Sequence, residues 1–146
     1  MKKIIQKQLG ELLVESQIIS QEQLKEGLEI QKEKGGLIGE VLVGLGYATE
    51  QAIAQALTVQ YGFPYLPLGD YDIDPETARL IPETLARRHG LIAVDHLGNL
   101  LTVAMCNPLS AQAIEEVEKA TRLNVQAFVA TQADVNQAIG RCYKES

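Results

Sequence analysis

The sequence is poor in positive charge. Its 13 lysines and arginines are outnumbered by 19 aspartates and glutamates, which leaves a net charge of −6 on 146 residues, and no long basic run occurs. A protein that binds nucleic-acid polymers needs a positive surface, because binding displaces counterions from the phosphates. We therefore expect no nucleic-acid polymer among the partners of this chain.

Long apolar segments are also absent. Polar and charged residues interrupt the N-terminal segment from Gln6 to Glu11, so it does not have the unbroken apolar core of a signal peptide. No other stretch of the sequence is long enough to span a bilayer. We expect a cytoplasmic chain without direct membrane insertion, in which Cys106 and Cys142 are reduced thiols.

Local motifs for catalysis, nucleotide phosphates and metals are missing. The sequence contains neither G-x-x-x-x-G-K-[ST] nor G-x-S-x-G, and His89 and His96 have no partner at a metal-ligand spacing. The acidic stretch 70–74 begins like a calcium loop, but Pro75 replaces the required glycine and Ile81 the final glutamate. These absences predict a chain that is not an enzyme and has no catalytic residue, cofactor or metal site.

The sequence does contain a tandem repeat with an offset of 29 residues. Residues 8–31 align with residues 37–60, and a short spacer joins the two units. The identical pairs are Gly10/Gly39, Glu11/Glu40, Leu13/Leu42, Val14/Val43, Leu28/Leu57 and Gln31/Gln60. Apolar residues recur at helical spacing in both units, so each is predicted to form a short helix, a turn and a longer helix.

Residues at the predicted helix ends support this interpretation. Ser20 and Thr49 precede the longer helices and are good N-caps, and Ser20 also forms a capping box with Gln23. Gly46 fits the turn after the second short helix, where a left-handed backbone is favourable for glycine. The first unit has Gln17 at this place, and we expect that residue to lower its stability.

Two glutamines close the repeat units, and each follows a leucine that we expect on the buried face. The pairs are Leu28 with Gln31 and Leu57 with Gln60. One interpretation is that both amides are satisfied helix-end side chains, since half-buried amides normally find a hydrogen-bond partner. The other is that they contact a ligand or a partner protein. The sequence leaves both interpretations open.

The second half of the chain has a different pattern. We divide the chain into a helical repeat subdomain, residues 1–62, and an α/β subdomain, residues 63–146. Pro75 fits the first position of a helix that should run to Ile81, and Pro82 ends it and opens another helix.

The remaining segments predict a small sheet. Two strands joined by the turn 96–99, a helix, a third strand and a final helix are expected at 91–95, 100–106, 110–122, 124–130 and 132–143. A helix between the last two strands makes them parallel neighbours. The predicted fold class is α+β, with a tandem helical-hairpin repeat packed on a small three-stranded mixed sheet with helices.

The repeat, with its fixed leucines and closing glutamines, resembles the N-terminal domain of type II secretion and type IV pilus assembly ATPases. The second half is similar to the same family in YGFPYLPL, IDPETARLIPETLARRHGLIAV, LTVAMCNPLS and DVNQAIGRCY. The resemblance covers nearly the whole chain, without the Walker motifs of the ATPase body. It implies a non-catalytic regulatory and assembly domain that docks secretion or pilus machinery. The implied partners are the cytoplasmic domain of an inner-membrane platform protein, which would recruit the chain to that membrane, or the ATPase body.

In some family members this repeat implies binding of cyclic di-GMP, which makes that dinucleotide the alternative ligand here. The family pattern carries over to Gln8, Leu9, Gly10, Leu13, Leu24, Leu28 and Gln31 in the first unit and to Leu37, Ile38, Gly39, Leu42, Gly46, Ile53, Leu57 and Gln60 in the second. These residues form the candidate ligand-binding set.

Several positions depart from the family pattern. The arginine that opens each unit is Gln8 in the first and Leu37 in the second, and the usual acidic residue before the proline of the last strand-to-helix turn is Asn107. Arginine suits cyclic di-GMP because one guanidinium can stack on a purine and pair with a phosphate. Lys7 and Lys34 are the candidate substitute charges. We therefore favour docking of a machinery partner over nucleotide binding.

Overall fold

A computed structural model of the protein describes residues 8–143. Its first four helices are α1 Leu9–Glu15 and α2 Gln21–Lys34 in the first repeat unit, and α3 Ile38–Gly44 and α4 Glu50–Tyr61 in the second. Both helices of the second unit begin 29 residues after their counterparts. The predicted repeat of helical hairpins is therefore confirmed.

The predicted caps of the longer helices are present. The Ser20 hydroxyl accepts a hydrogen bond from the Gln23 backbone N–H at 3.1 Å, and the Gln23 side chain accepts one from the Ser20 N–H at 2.9 Å. In α4 the Thr49 hydroxyl accepts from the Ala52 N–H at 3.0 Å. These bonds satisfy backbone donors that a helix start leaves without an intrahelical partner.

The turn inside each unit has a left-handed residue at the same place. Gly46 has φ 79° and Gln17 has φ 63°. Each donates its N–H three residues back, Gly46 to the carbonyl of Val43 and Gln17 to that of Val14. The two turns therefore have the same geometry, although only the second unit has the residue that adopts it without strain.

The second half consists of a short 3₁₀ turn, four helices and three strands. After the turn at Leu68–Asp70 come α5 Pro75–Ala78, α6 Glu83–His89, β1 Leu91–Leu97, β2 Leu100–Met105, α7 Ala111–Thr121, β3 Asn124–Val129 and α8 Gln132–Cys142. The sheet order is β1-β2-β3, with β1 antiparallel and β3 parallel to the central β2. The predicted α+β class and the parallel pairing of the last two strands are confirmed.

Two predicted boundaries in the second half need correction. Helix α5 ends at Ala78 rather than Ile81, because the N–H groups of Leu80 and Ile81 donate to carbonyls three residues back in a tighter turn. Pro82 disfavours a helical backbone at the residue before it. The hairpin turn is also shorter than the predicted 96–99. Strand β1 runs to Leu97 and β2 begins at Leu100, so the turn consists of Gly98 and Asn99.

The core of the repeat is shared with the second half. Leu12, Leu13, Leu42 and Leu57 are fully buried, and they cluster with Leu109 and Val129 from beyond the repeat. A second cluster of buried residues lies around the sheet. The two halves therefore pack directly against each other, and the division between residues 62 and 63 stays a prediction.

Leu28 does not lie on a buried face, which corrects the expectation drawn from the repeat. It is 44% exposed, whereas its counterpart Leu57 is fully buried. The inner face of α2 is formed by Leu24 and Gly27, and a Cβ added at Gly27 would lie 2.8 Å from a methyl group of Leu42. Helix α4 also packs against β3, and Leu57 lies in the same buried cluster as Val129 of that strand.

Candidate functional site

A cleft of about 450 Å³ lies between the second repeat unit and the carboxyl end of the sheet. Its lining residues are Leu9, Gln31, Leu37, Ile38, Gly39, Glu40, Val43, Gly44, Glu50, Ile53, Ala54, Cys106, Asn107, Ala130, Thr131, Gln132, Ala133 and Asn136. The residues from 106 to 136 follow the parallel strands β2 and β3, whose carboxyl ends meet at one edge of the sheet. This volume is within the usual range of ligand pockets, roughly 300–1,000 Å³.

The repeat side of the cleft is mainly apolar. Leu9, Ile38, Val43, Ile53 and Ala54 supply side chains to it. The apolar spacing of α3 and α4 places four of these residues on neighbouring helix turns that face the sheet, and Leu9 joins them from α1. This wall can accept apolar groups of a ligand or of a partner protein.

The two closing glutamines have different surroundings. Gln31 lines the cleft and donates its amide N–H to the carbonyl of Gly36 at 3.0 Å. Gln60 lies outside the cleft and donates to the Ser16 hydroxyl at 2.6 Å, which links the second unit to the first. Both amides thus have hydrogen-bond partners within the chain, and only Gln31 is also placed to contact a ligand in the cleft.

Carboxylates supply the charge of the cleft. Among its lining residues that the structure describes, Glu40 and Glu50 are the charged ones. An oxygen of Glu50 accepts a hydrogen bond from the Ala133 N–H at 2.8 Å, in the first turn of α8, where the helix dipole favours negative charge. Burial, together with the negative charges of Glu50 and Glu40, raises the pKa of the Cys106 thiol to about 12. The thiol is therefore protonated at neutral pH.

Six of the fifteen candidate residues from the sequence meet at the cleft, namely Leu9, Gln31, Leu37, Ile38, Gly39 and Ile53. Five others are buried between the repeat helices, namely Gly10, Leu13, Leu24, Leu42 and Leu57. Gly46 forms the turn after α3, and Gln8 and Leu28 are exposed. The structure therefore divides the candidate set into a cleft group, dominated by the second unit, a packing group, and four residues in neither group, namely Gln8, Leu28, Gly46 and Gln60.

Sequence reasoning missed most of the sheet side of the cleft. Of its lining residues after position 100, Asn107 was the one considered in connection with a ligand, while Cys106 was noted only as a reduced thiol. The missing signal was topological, because the ends of adjacent parallel strands lie at the same sheet edge and form a crevice with the following helix. The predicted strands at 100–106 and 124–130 already contained that information.

Other residues stand at or near the positions where the family has arginines. The Leu37 side chain lies near Gly90, where an added Cβ would be 2.9 Å from a Leu37 methyl group. Lys34 is exposed and does not line the cleft, and Lys7 is outside the described residues. Leu37 thus packs the second unit onto the sheet half in place of contributing a positive charge.

No metal-binding group of three or more His, Cys, Asp or Glu residues is found within residues 8–143. Over the same range, none of the helices combines the length and the apolar character that crossing a membrane requires. Cys106 and Cys142 are both free thiols.

Curated relatives are pilus ATPases. The type IV pilus assembly ATPase PilB of Myxococcus xanthus is 36% identical over 137 residues, which cover 94% of this chain and 24% of that protein. PilB of Thermus thermophilus is 33% identical over 141 residues, which cover 95% of this chain and 16% of that protein. The chain thus spans about a quarter or less of the length of these relatives.

Solved structures share the fold. A structure of MshE with cdg (cyclic di-GMP) has 29% sequence identity and a TM-score of 0.67, and the match covers 94% of this chain and 100% of that chain. The N-terminal domain of XpsE has 18% identity and a TM-score of 0.74, with 97% of each chain covered. The second comparison supports the fold alone.

A family match agrees with these relatives. The MshEN domain family matches residues 61–146, which is more than half of the chain. The resemblance to the N-terminal domain of type II secretion and type IV pilus assembly ATPases is confirmed by this match and by the PilB relatives. The chain therefore belongs to the MshEN domain family.

Proposed function

We propose that the chain is a non-catalytic regulatory and assembly domain of a pilus or secretion ATPase that docks a component of the same machinery. The partner is the cytoplasmic domain of an inner-membrane platform protein or the ATPase body, in a cytoplasmic complex recruited to the inner membrane. The sequence contains no Walker A motif, which supports a role without nucleotide hydrolysis.

The position of the cleft is the observation that carries this proposal. Its walls come from both halves of the chain, with α3 and α4 on one side and residues around Asn107 and Ala133 on the other. A partner segment in the cleft would therefore contact both halves at once. Binding there can change how the repeat packs on the sheet, which is what a regulatory docking domain requires.

A glycine at the cleft offers a direct test. Gly44 lines the cleft, and nothing lies within 4 Å of a Cβ added there. Gly44→Phe should fill open space in the cleft and weaken binding to the purified platform domain by about tenfold or more, since it displaces part of the partner. Biolayer interferometry with the immobilised chain measures this affinity.

Gly140→Phe is the matched control. Gly140 is exposed in α8, outside the cleft, and it also has nothing within 4 Å of an added Cβ. We expect this variant to bind the partner as the original chain does. Equal loss of binding in both variants, or in neither, would contradict docking at the cleft.

Cyclic di-GMP binding is the second candidate function. It is supported by the MshE relative, which was solved with that dinucleotide, and by the cleft position of Gln31, Leu37, Ile38 and Gly39. The missing arginines oppose it, because each charged hydrogen bond contributes about 1.5–3 kcal/mol. Isothermal titration calorimetry of the chain with cyclic di-GMP decides the question, and an absence of heat at millimolar ligand removes this function.

If cyclic di-GMP binds in the family's pose, an arginine restored at Leu37 should tighten the complex. Leu37→Arg places a guanidinium at the cleft, and the expected gain is roughly tenfold to a hundredfold in Kd. Gln8→Arg tests the first unit in the same way. Leu97→Arg is the control, because Leu97 is 78% exposed on the hairpin and lies outside the cleft. An affinity unchanged by Leu37→Arg means that the pose does not apply.

A further inference from the structure

We infer that the cleft accepts a partner-protein segment that carries a lysine or arginine side chain among apolar residues, and that it prefers this side chain to an anionic one. This inference rests on the proposed docking function and names the chemistry of the docked segment. It concerns the charge balance of the cleft, which combines an apolar wall with two carboxylates, those of Glu40 and Glu50.

The first argument is the sign of the charge. Glu40 reaches the cleft from α3 and Glu50 from α4, and no Lys, Arg or His is found among the described lining residues. A positive side chain in the cleft is attracted by both carboxylates, whereas a phosphate or carboxylate is repelled by both. The net charge of −6 on the chain acts in the same direction.

The second argument is that a backbone donor that would attract an anion is already used. The start of α8 presents backbone N–H groups to the cleft, and such helix starts favour negative charge. The Glu50 carboxylate accepts the Ala133 N–H of this helix start at 2.8 Å. An incoming anion would have to displace that carboxylate, while a cation can approach it without breaking the bond.

The polar groups on both sides of the cleft agree with this assignment. The Gln31 amide donates to the Gly36 carbonyl, and the Gln132 amide donates to the Asn136 side chain at 3.1 Å. One N–H of each amide is thus engaged within the chain. The raised pKa of the Cys106 thiol has the charges of Glu50 and Glu40 among its causes, which is consistent with a negative potential in the cleft.

The apolar wall completes the specificity. Leu9, Ile38, Val43 and Ile53 offer contacts to apolar side chains that flank the positive residue. The long stem of lysine or arginine also packs well on such surfaces while its charged end reaches a carboxylate. A charged end alone would be held weakly, because exposed ion pairs contribute little.

Two matched peptides test this inference on the whole chain. The probes are acetyl-Leu-Arg-Val-Leu-amide and acetyl-Leu-Glu-Val-Leu-amide, titrated into the isotope-labelled chain and followed by the backbone amide shifts of Gly39 and Ala133. We expect the arginine peptide to bind about fivefold tighter than the glutamate peptide, with a preference that shrinks as salt is added. Equal affinities, a preference for the glutamate peptide, or no shift with either peptide would overturn the inference.

Charge-neutral variants locate the preference. The pair Glu40→Gln and Glu50→Gln keeps side-chain size and leaves an amide oxygen at position 50 that can still accept from Ala133, so the fold is retained. In this double variant the arginine peptide should lose its advantage. The control pair is Glu22→Gln with Glu29→Gln, which removes the same charge from the exposed face of α2. A preference that survives the cleft variants, or disappears in the control, contradicts the assignment to Glu40 and Glu50.

The outcomes also separate this inference from docking itself. If the platform domain binds and Gly44→Phe blocks it while the peptides show no charge preference, docking stands and the inference about charge fails. If the peptides show the preference but no machinery domain binds the chain, the proposed function fails and the selectivity of the cleft remains.

Discussion

The two repeat units have the same helices in the same order, yet the second supplies most of the repeat side of the cleft. The first unit packs on the second and leaves much of α2 exposed. Leu28 and Leu57 show this difference most clearly, since one is 44% exposed and the other fully buried. The repeat therefore determines local structure, whereas the neighbours of each unit determine which side chains are buried and which reach a site.

The side chains at the unit ends also differ in their surroundings. Gln31 lies at the cleft, while Gln60 forms a hydrogen bond to Ser16 in the first unit. The left-handed turn position is occupied by Gly46 in the second unit and by Gln17 in the first. Sequence identity between the units thus does not imply an equal role, and substitutions at paired positions can measure the difference.

The largest expected difference is between the paired leucines. Leu57→Ala should lower the free energy of unfolding by about 2–5 kcal/mol, because it leaves a cavity in a packed core. Leu28→Ala should lower it by about 1 kcal/mol or less, since the side chain is partly in solvent. Urea denaturation followed by circular dichroism measures both. Similar losses for the two variants would show that the units are packed alike.

Substitutions in the two turns should change the free energy of unfolding by smaller amounts, with opposite signs in the two units. Gln17→Gly should raise the free energy of unfolding by about 1 kcal/mol, because glycine adopts the left-handed backbone without a Cβ clash. Gly46→Gln should lower it by about the same amount. The variant with both changes should then be close to the original chain in thermal melts. A destabilised Gln17→Gly variant would contradict the equivalence of the two turns.

The smallest expected effect concerns the hydrogen bond between the units. The amide nitrogen of Gln60 and the hydroxyl oxygen of Ser16 are 2.6 Å apart in a solvent-exposed position. Their coupling should therefore be about 0.5 kcal/mol in a double-mutant cycle with alanine. Gln31→Ala combined with Ser16→Ala should show no coupling, because Gln31 donates to Gly36 instead. Equal coupling in both cycles would mean that the two glutamines are interchangeable.

Much of the fold followed from local patterns in the sequence. The repeat, the caps at Ser20 and Thr49, and the order of strands and helices after residue 90 all depend on short-range preferences, and the structure confirms them. The predicted end of α5 was wrong, because the chain forms a tighter turn before Pro82. The prediction that Leu28 is buried was wrong, because periodicity identifies a helix face but does not show what covers it.

The candidate site was predicted only in part, for the same physical reason. Residues at the start of α3, such as Ile38 and Gly39, were selected from the repeat and the family pattern, and they lie at the cleft. The opposite wall, which includes Thr131 and Gln132, depends on how the sheet packs against the repeat. The predicted parallel strands indicate that their carboxyl ends meet at one sheet edge, but which part of the repeat packs against that edge depends on residues far apart in sequence.

The central claim is that partners bind at the cleft between the second unit and the sheet. Backbone amide shifts of the labelled chain, recorded with and without the purified cytoplasmic domain of the platform protein, test it most directly. The largest changes should occur at Gly39, Ala54, Asn107 and Ala133, with little change along the exposed side of α2 around Leu28. Changes confined to α2, with the cleft residues unaffected, would contradict the claim.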